Sequence, residues 1–461
     1  MRGMPQLPIP LAGTTKTCSA ESDTARKEQK EELMAKGTLA RKVCVIGAGY
    51  TPLGDVRSTP EIKDFSEREM LSMACIDAMK NGNIEAKDID AYYVGCSGPN
   101  LAKMKGAAPF FANWIGMKNK PTMFLDAGCV SGGIALSAAV TAIASGLYDA
   151  VLVTGVNINF SVPKFGYPPY IREPLSNDDL WDNVYTGVDA AYVRPAVGGL
   201  SSYDGSVLDY CREYGISLDD FDDALIHYII SKRREAVANP KAKLAVETYE
   251  EEAARFGFSN AYDYLKSRKF NPFVSYTGRS RILGWAQDAA SAVVVCASEI
   301  ASQYTDRPVE IAGFATSSSV DTEWPSTTPP DDQYMFREAY RMADITDPYH
   351  EIDHMYIHDC PSLTIPIVIE QAGYVKPGKT IEMMMNNEFA FDGSRPLNTT
   401  GGRTQAGHPR SPAYLLEISE AVDQMRGEAG DRQMPTPPKT SVLWGGGSGI
   451  TKMVTVLKKG W

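Results

Sequence analysis

The phrase DIDAYYVGC at 88–96 returns as EIDHMYIHD at 351–359, in register: an acid, Ile-Asp, two residues, Tyr, then a β-branched residue. One matched strand is common, but the surroundings repeat as well. Before the copies stand KVCVIGAG (42–49) and VEIAGFATSS (309–318), each followed by a helical pattern, around Glu67 to Lys80 and around Met335 to Met342. After each copy comes a glycine-containing loop opening a helix, then a strand that ends in glycine, DAVLVTG (149–155) and TSVLWGGG (440–447). Matched order across four elements predicts an internal duplication of two β-α-β-rich halves, and so an α/β chain.

At 461 residues there is chain enough for two core-bearing units. The halves read as 41–156 with 281–308, and 309–461. Between them, 157–280 changes composition to aromatics, prolines and charges, as in FSVPKFGYPPYIREP and FDDALIHYIISKRREAVANPKAKL. That predicts an inserted loop domain, with helices of its own, of the kind that covers an active site. Residues 1–40 read as a polar tail, without the apolar stretch of a signal peptide and too rich in acids for a transit peptide. No apolar run reaches bilayer length, so no membrane span is expected. With 43% apolar and 22% charged residues the composition is that of a soluble enzyme. A net charge of −11 argues against general nucleic-acid binding. Eight cysteines without a CxxC pair fit reduced thiols in a cytoplasm better than a disulfide framework. KVCVIGAGYTPLG holds a GxG but neither the third glycine nor the downstream acid of a dinucleotide site.

The segment DAGCVSGGIALSAAVTAIASG (126–146) places Cys129 at the start of a helix that is apolar on every face, hence buried. A helix start gathers unpaired N–H groups and partial positive charge, which favours a thiolate, and the neighbouring glycines let a thioester approach. The competing reading is a buried structural cysteine, so partners decide. IHDC puts His358 and Cys360 at the end of the repeated strand, where α/β sheets present reactive groups. GGRTQAGHPRSP puts His408 in the loop that is the repeat counterpart of the Cys129 loop. A thiol beside an imidazole is the minimal activated nucleophile, and a second thiol can carry a proton to and from carbon. Backbone N–H groups at Cys129 and at Gly445, Gly446 and Gly447 suit a developing oxyanion. Taken singly, His408 also reads as a helix cap and His358 as a core histidine. Two Cys and two His offer a zinc set as a rival, although their long separations lack ligand-pair spacing. His350 and His354 read as structural or surface residues.

Together these residues resemble the thiolase superfamily, and within it the thiolases related to sterol carrier protein. The HDCF motif of that branch stands here as HDCP, His358 to Pro361, and GGxxxxGHP is matched at Gly401, Gly402, Gly407, His408 and Pro409. KRREAVANPKA, with Asn239 and Pro240, resembles a loop-domain segment, so the likeness runs over roughly 42–458. The resemblance implies a five-layer αβαβα fold with an inserted loop domain, built as a homodimer. It implies that Cys129 is the nucleophile, His408 its activator, His358 an oxyanion donor and Cys360 the acid/base. Coenzyme A would enter as a substrate, no metal would be held by this chain, and a small zinc-binding OB-fold subunit is an implied partner. The expected function is CoA-dependent cleavage of a 3-oxoacyl-CoA through a cysteine acyl-enzyme. Trp444 stands in the terminal turn where many thiolases have their second cysteine, Arg410-Ser411-Pro412 replaces a small-residue run, and NNEFAF (386–391) imitates a family motif out of order. The aromatic stretches 109–116 and 160–174 read first as core and lid packing, and Trp444 also as core filling between the halves; the sharper reading makes Trp444, Phe160 and Arg172, with these stretches, candidate pocket residues for an aromatic or dicarboxylic acyl-CoA such as benzoylsuccinyl-CoA. Two alternatives share the fold: a retro-aldolase that dispenses with the nucleophile, and a non-catalytic CoA-binding scaffold subunit.

Overall fold

Runs of Val, Ile and Ala bury both faces of their strands and leave the strand order to the connections. The computed structural model describes residues 38–96, 106–158, 201–284, 286–318, 333–447 and 451–461. Its strands are β1 (Val43–Tyr50), β2 (Ala91–Gly95), β3 (Thr122–Leu125), β4 (Ala150–Asn157), β5 (Ala289–Ala297), β6 (Val309–Ser318), β7 (His354–Ile357), β8 (Thr440–Gly447) and β9 (Thr451–Lys459). They form one sheet in the order β3-β2-β4-β5-β1-β6-β9-β8-β7.

The duplication is visible in this order. In the first half β2 is parallel to β4, β4 antiparallel to β5, and β5 antiparallel to β1. In the second β7 is parallel to β8, β8 antiparallel to β9, and β9 antiparallel to β6. The halves meet where β1 runs antiparallel to β6 over Cys44 with Glu310 and Val45 with Val309.

Contacts explain the repeated letters. Asp90 Oδ2 accepts from the N–H groups of Asp149 and Ala150 at 2.8 and 3.0 Å, and Asp353 Oδ2 accepts from Lys439 and Thr440 at 2.8 and 3.0 Å. The Ile-Asp of each copy therefore fixes the start of the neighbouring parallel strand. Gly47 and Gly313 each sit at a bulge, against the backbone of α1 (Glu67–Asn81) and of α5 (Gln333–Met342) respectively. A side chain at either glycine would push the helix off its sheet.

The helices complete five layers. α1 and α2 (Ala107–Trp114) bury one core on the outer face of the first half. α3 (Ser131–Ala144) and α6 (Ala413–Arg426) lie between the halves, in a core that takes Val43, Val45, Val151 and Val153 from one and Leu443, Met453 and Leu457 from the other. A third core joins α5, the outer face of the second half and the inserted helices Ser201–Tyr214, α4 (Leu218–Ala238), Tyr249–Arg255 and Ala261–Lys266.

Lys232 of α4 anchors the insert. It is wholly buried, and its Nζ donates to Glu235 Oε2 (2.7 Å) and to the carbonyls of Phe389 (2.7 Å) and Leu397 (2.6 Å). Removing one partner of such a pair costs about 3–5 kcal/mol, because the other charge is left buried alone. Leu39–Trp461 forms one compact unit. Among the described residues no helix is long and apolar enough to cross a membrane.

Candidate active site

Cys129 lies in a short 3₁₀ turn, Gly128–Val130, immediately before α3, rather than in the first α-helical turn itself. The turn is braced locally. Gly128 N–H donates to Asp126 Oδ1 (3.2 Å), Ala127 N–H to Ser131 Oγ (2.8 Å), and the Ser131 hydroxyl to the Gly128 carbonyl (2.6 Å). Gly132 N–H then reaches the Ser411 carbonyl at 3.1 Å, which ties the Cys129 loop of one half to the GHP loop of the other.

His408 arrives from the second half. A π-helical turn, Gly402–Ala406, leads into Gly407, and the His408 carbonyl accepts from Gln287 N–H at 3.2 Å. Its Nε2 lies 3.3 Å from Cys129 Sγ, within the reach of a sulfur hydrogen bond. The His358 ring stands edge-on to that of His408, with centroids 4.7 Å apart, and its backbone N–H is held by the Trp444 carbonyl at 3.0 Å. Cys360 Sγ lies 3.9 Å from the Gly284 carbonyl.

The electrostatics divide the labour. Burial, reinforced by the Arg403 cation, pushes the His358 imidazole down to about 3. Burial, His358, Arg410 and Arg403 hold His408 well below the usual histidine value. Both rings are neutral at pH 7, which a proton acceptor must be. Burial pushes the Cys360 thiol up to about 12, and charge on Cys129 opposes its ionisation. A thiol kept protonated beside Cys129 suits the role of an acid.

Ligand atoms of Cys129, His358 and His408 all lie within 4.8 Å of one another, a three-ligand set of the kind an open zinc site uses. The same three groups are what a thiol nucleophile, its base and an oxyanion donor require. A metal bound there would occupy the nucleophile.

The terminal glycines bring β8 up to the Cys129 turn. A Cβ on Gly447 would run into the Ala127 carbonyl and stand 3.0 Å from a Val130 methyl, and one on Gly445 would meet the Tyr414 ring. Gly445, Gly446 and Gly447 also pair with Met453, Lys452 and Thr451 of β9. Trp444 is buried at 6% exposure, within the core that also holds Val442, and its ring lies over Gly446.

In the stretch 109–116, Phe111 is buried in the outer core of the first half, while Phe110 and Trp114 are exposed. Phe160 and Arg172 lie outside the described residues.

Sequence reasoning passed over Asp359, although it stands between His358 and Cys360. It is fully buried and accepts from the N–H groups of Arg403 (2.6 Å) and Thr404 (3.3 Å) and from the Tyr228 hydroxyl (3.2 Å). Its place inside the HDC motif was the available signal. Arg403 and Gly284 gave no comparable one.

Comparison with known proteins supplies the context. The model of the thiolase N-terminal domain matches residues 43–164, and that of the thiolase C-terminal domain-like family matches 314–459. An acetyl-CoA acetyltransferase from Methanothermobacter thermautotrophicus is 27% identical over 423 residues, 91% of this chain and 100% of that protein. Benzoylsuccinyl-CoA thiolase subunit BbsB from Thauera aromatica is 23% identical over 421 residues, 89% and 96% of the two chains. Among solved structures, an Ltp2-ChsH2(DUF35) aldolase superposes with a TM-score of 0.67 at 17% identity, covering 91% of this chain and 98% of the other.

Proposed function

Because this chain belongs to the thiolase superfamily and is an acyl-CoA C-acyltransferase of that family, we propose that it cleaves a 3-oxoacyl-CoA through an acyl group carried on Cys129. The observation that carries the reading is the 3.3 Å approach of His408 Nε2 to Cys129 Sγ. In this mechanism His408 takes the thiol proton and Cys129 attacks the 3-oxo carbon. His358 and the backbone N–H groups of Cys129 and Gly445 to Gly447 receive the oxyanion. The bond between C2 and C3 breaks, its electron pair goes to C2 of the departing acyl-CoA, and Cys360 protonates that carbon. A second CoA thiol then takes the acyl group, returning Cys129 to its starting state.

For the acyl group we propose an aromatic or dicarboxylic chain. The support is the likeness to the benzoylsuccinyl-CoA thiolase subunit and the basic residues of the GHP loop, where Arg403 and Arg410 are both buried. Thiolysis rates over a panel of 3-oxoacyl-CoAs test this, with aromatic and dicarboxylic members expected ahead of acetoacetyl-CoA. A clear preference for acetoacetyl-CoA rejects it.

A homodimer is proposed from the edge strand β3, where Met123 and Phe124 are 41% and 37% exposed beside Phe110 and Trp114 at 40% and 51%. An apolar sheet edge of this kind needs cover. A small zinc-bearing partner subunit belongs to the same proposal. Support for a partner subunit comes from the two-component Ltp2-ChsH2(DUF35) aldolase among the solved structures and from the Thauera relative being one subunit of its thiolase. The described cysteines are all free thiols, which accords with a cytoplasmic setting.

The aldolase neighbour also favours one second reading, a retro-aldol cleavage on the same fold. Such an enzyme has no need of an acyl-enzyme, so covalent acylation separates the two.

A further inference from the structure

The residues flanking both imidazoles are tied to one residue, through its backbone on one side and its guanidinium on the other. Arg403 donates its backbone N–H to Asp359 Oδ1 at 2.6 Å, next to His358, and its Nη1 to the Gly407 carbonyl at 3.1 Å, next to His408. Thr404 strengthens the join, with its N–H on the same carboxylate oxygen at 3.3 Å and its hydroxyl on the Asp359 carbonyl.

The guanidinium is 1% exposed. Its Nε stands 3.3 Å from Glu417 Oε1 without forming a hydrogen bond, and its Nη2 has no hydrogen-bond partner among the described residues. Glu417 is a weak counter-ion, because burial pushes its carboxyl up to about 8. An incompletely paired cation in a low-dielectric interior keeps much of its field.

We propose that Arg403 is a positioning residue of the acyl-transfer site: its backbone N–H and its guanidinium join the His358–Cys360 strand end to the His408 loop, and its charge supplies a fixed positive field at the two imidazoles, where His408 takes the Cys129 proton. This rests on the reading of Cys129 as the nucleophile.

The sign of the effect does not depend on which group holds the proton. The titratable groups that feel the guanidinium are His358, His408, Asp359 and Glu417; Cys129 stands beside the two imidazoles and Cys360 beside Cys129, with Arg410 a second cation near His408 and Cys360. A neighbouring cation makes every loss of a proton easier. Taking its charge away therefore moves each step of the coupled thiol–imidazole titration to higher pH. Glu417 is already uncharged where the imidazoles titrate.

The test uses the full chain and follows the pH dependence of Cys129 alkylation by iodoacetamide, read on its peptide by mass, beside its acetylation by acetyl-CoA. In Arg403→Gln and Arg403→Met, two neutral replacements of different polarity, the alkylation limb is expected to move up by about 1 pH unit or more. Arg403→Lys should restore the limb toward wild type. A folded neutral variant that loses rate with its limb unmoved overturns the proposal, as does a limb displaced equally by Arg403→Lys. Wild-type protein that is alkylated normally but never acetylated fails the acyl-enzyme reading instead, and leaves the limb positions to decide the role of Arg403.

Discussion

Gly284 and Cys360 are packed against each other so closely that a Cβ on the glycine would come within 2.9 Å of the Cys360 sulfur. The same atom would stand 2.8 Å from the Arg403 carbonyl and 3.1 Å from His408 Cβ. One methyl group would therefore disturb Cys360 and the His408 loop together. Gly284→Ala is expected to lower turnover at least tenfold and to destabilise the fold by about 1–3 kcal/mol, the range of an overpacked core. Steady-state thiolysis and thermal unfolding of the same preparation check this. Wild-type turnover in the variant would mean that Cys360 moves freely and is not held for chemistry.

The two thiols should separate under substitution. Cys129→Ala is expected to lose acylation altogether. Cys360→Ala should still acylate but lose cleavage about a hundredfold or more, along with exchange of the acetyl-CoA α-proton with solvent. Deuterium exchange followed by mass gives the second readout. Exchange at the wild-type rate in Cys360→Ala would place the acid elsewhere.

His354 makes the pH prediction. It is wholly buried, lies 3.3 Å from Ser441 Oγ, and is pushed down to about 3 by burial and Lys232. The unfolded imidazole binds its proton near 6.5, so between about 6.5 and 3 the unfolded state holds more protons and stability falls as pH falls. His358 and His408 act in the same direction. Urea unfolding from pH 7 to pH 4 should show this loss, and a His354→Gln variant should show less of it. An identical slope in the variant would mean that His354 is not buried neutral.

Trp444 closes over Gly446 and shares a core with Val442 and Val454. Trp444→Ala is expected to cost about 3–5 kcal/mol of stability, as for other large buried side chains, and to raise KM or shift acyl preference while Cys129 still acylates. Trp444→Cys placed in a Cys360→Ala background should not restore cleavage. Recovery to near wild-type rate would move the proton shuttle to the terminal turn.

Much of this was legible because it is written twice. The Ile-Asp of each repeated strand contacts the start of its parallel neighbour, and the glycine bulges at Gly47 and Gly313 each seat a helix, so the same letters recur for the same reason. Cys129, His358, Cys360 and His408 stood out because scarce residue types sat at strand ends and glycine loops. What stayed hidden depends on contacts between distant segments. Gly284 matters only once Cys360 and His408 are folded against it, and Arg403 reads as one more charged loop residue until Asp359 and Gly407 enclose it. The anchor of the helices between 201 and 266 is not legible in the sequence, since Lys232 finds Phe389 and Leu397 across a long stretch of chain.

The three-ligand geometry of Cys129, His358 and His408 gives a metal test. Chelator-treated enzyme is expected to keep its activity, and added zinc to inhibit it in competition with acylation. Activity lost on chelation and recovered with zinc would make the cluster a metal centre.

Quenching the chain with acetyl-CoA or a cleavable 3-oxoacyl-CoA, then locating the acyl group by peptide mass mapping, decides whether the thiol that faces His408 at 3.3 Å is the nucleophile. One acyl group per chain on the Cys129 peptide, released by free CoA and absent from Cys129→Ala, is the expected result. Cleavage of substrate with no acylated peptide at any time point, or with the acyl group on another residue, contradicts it.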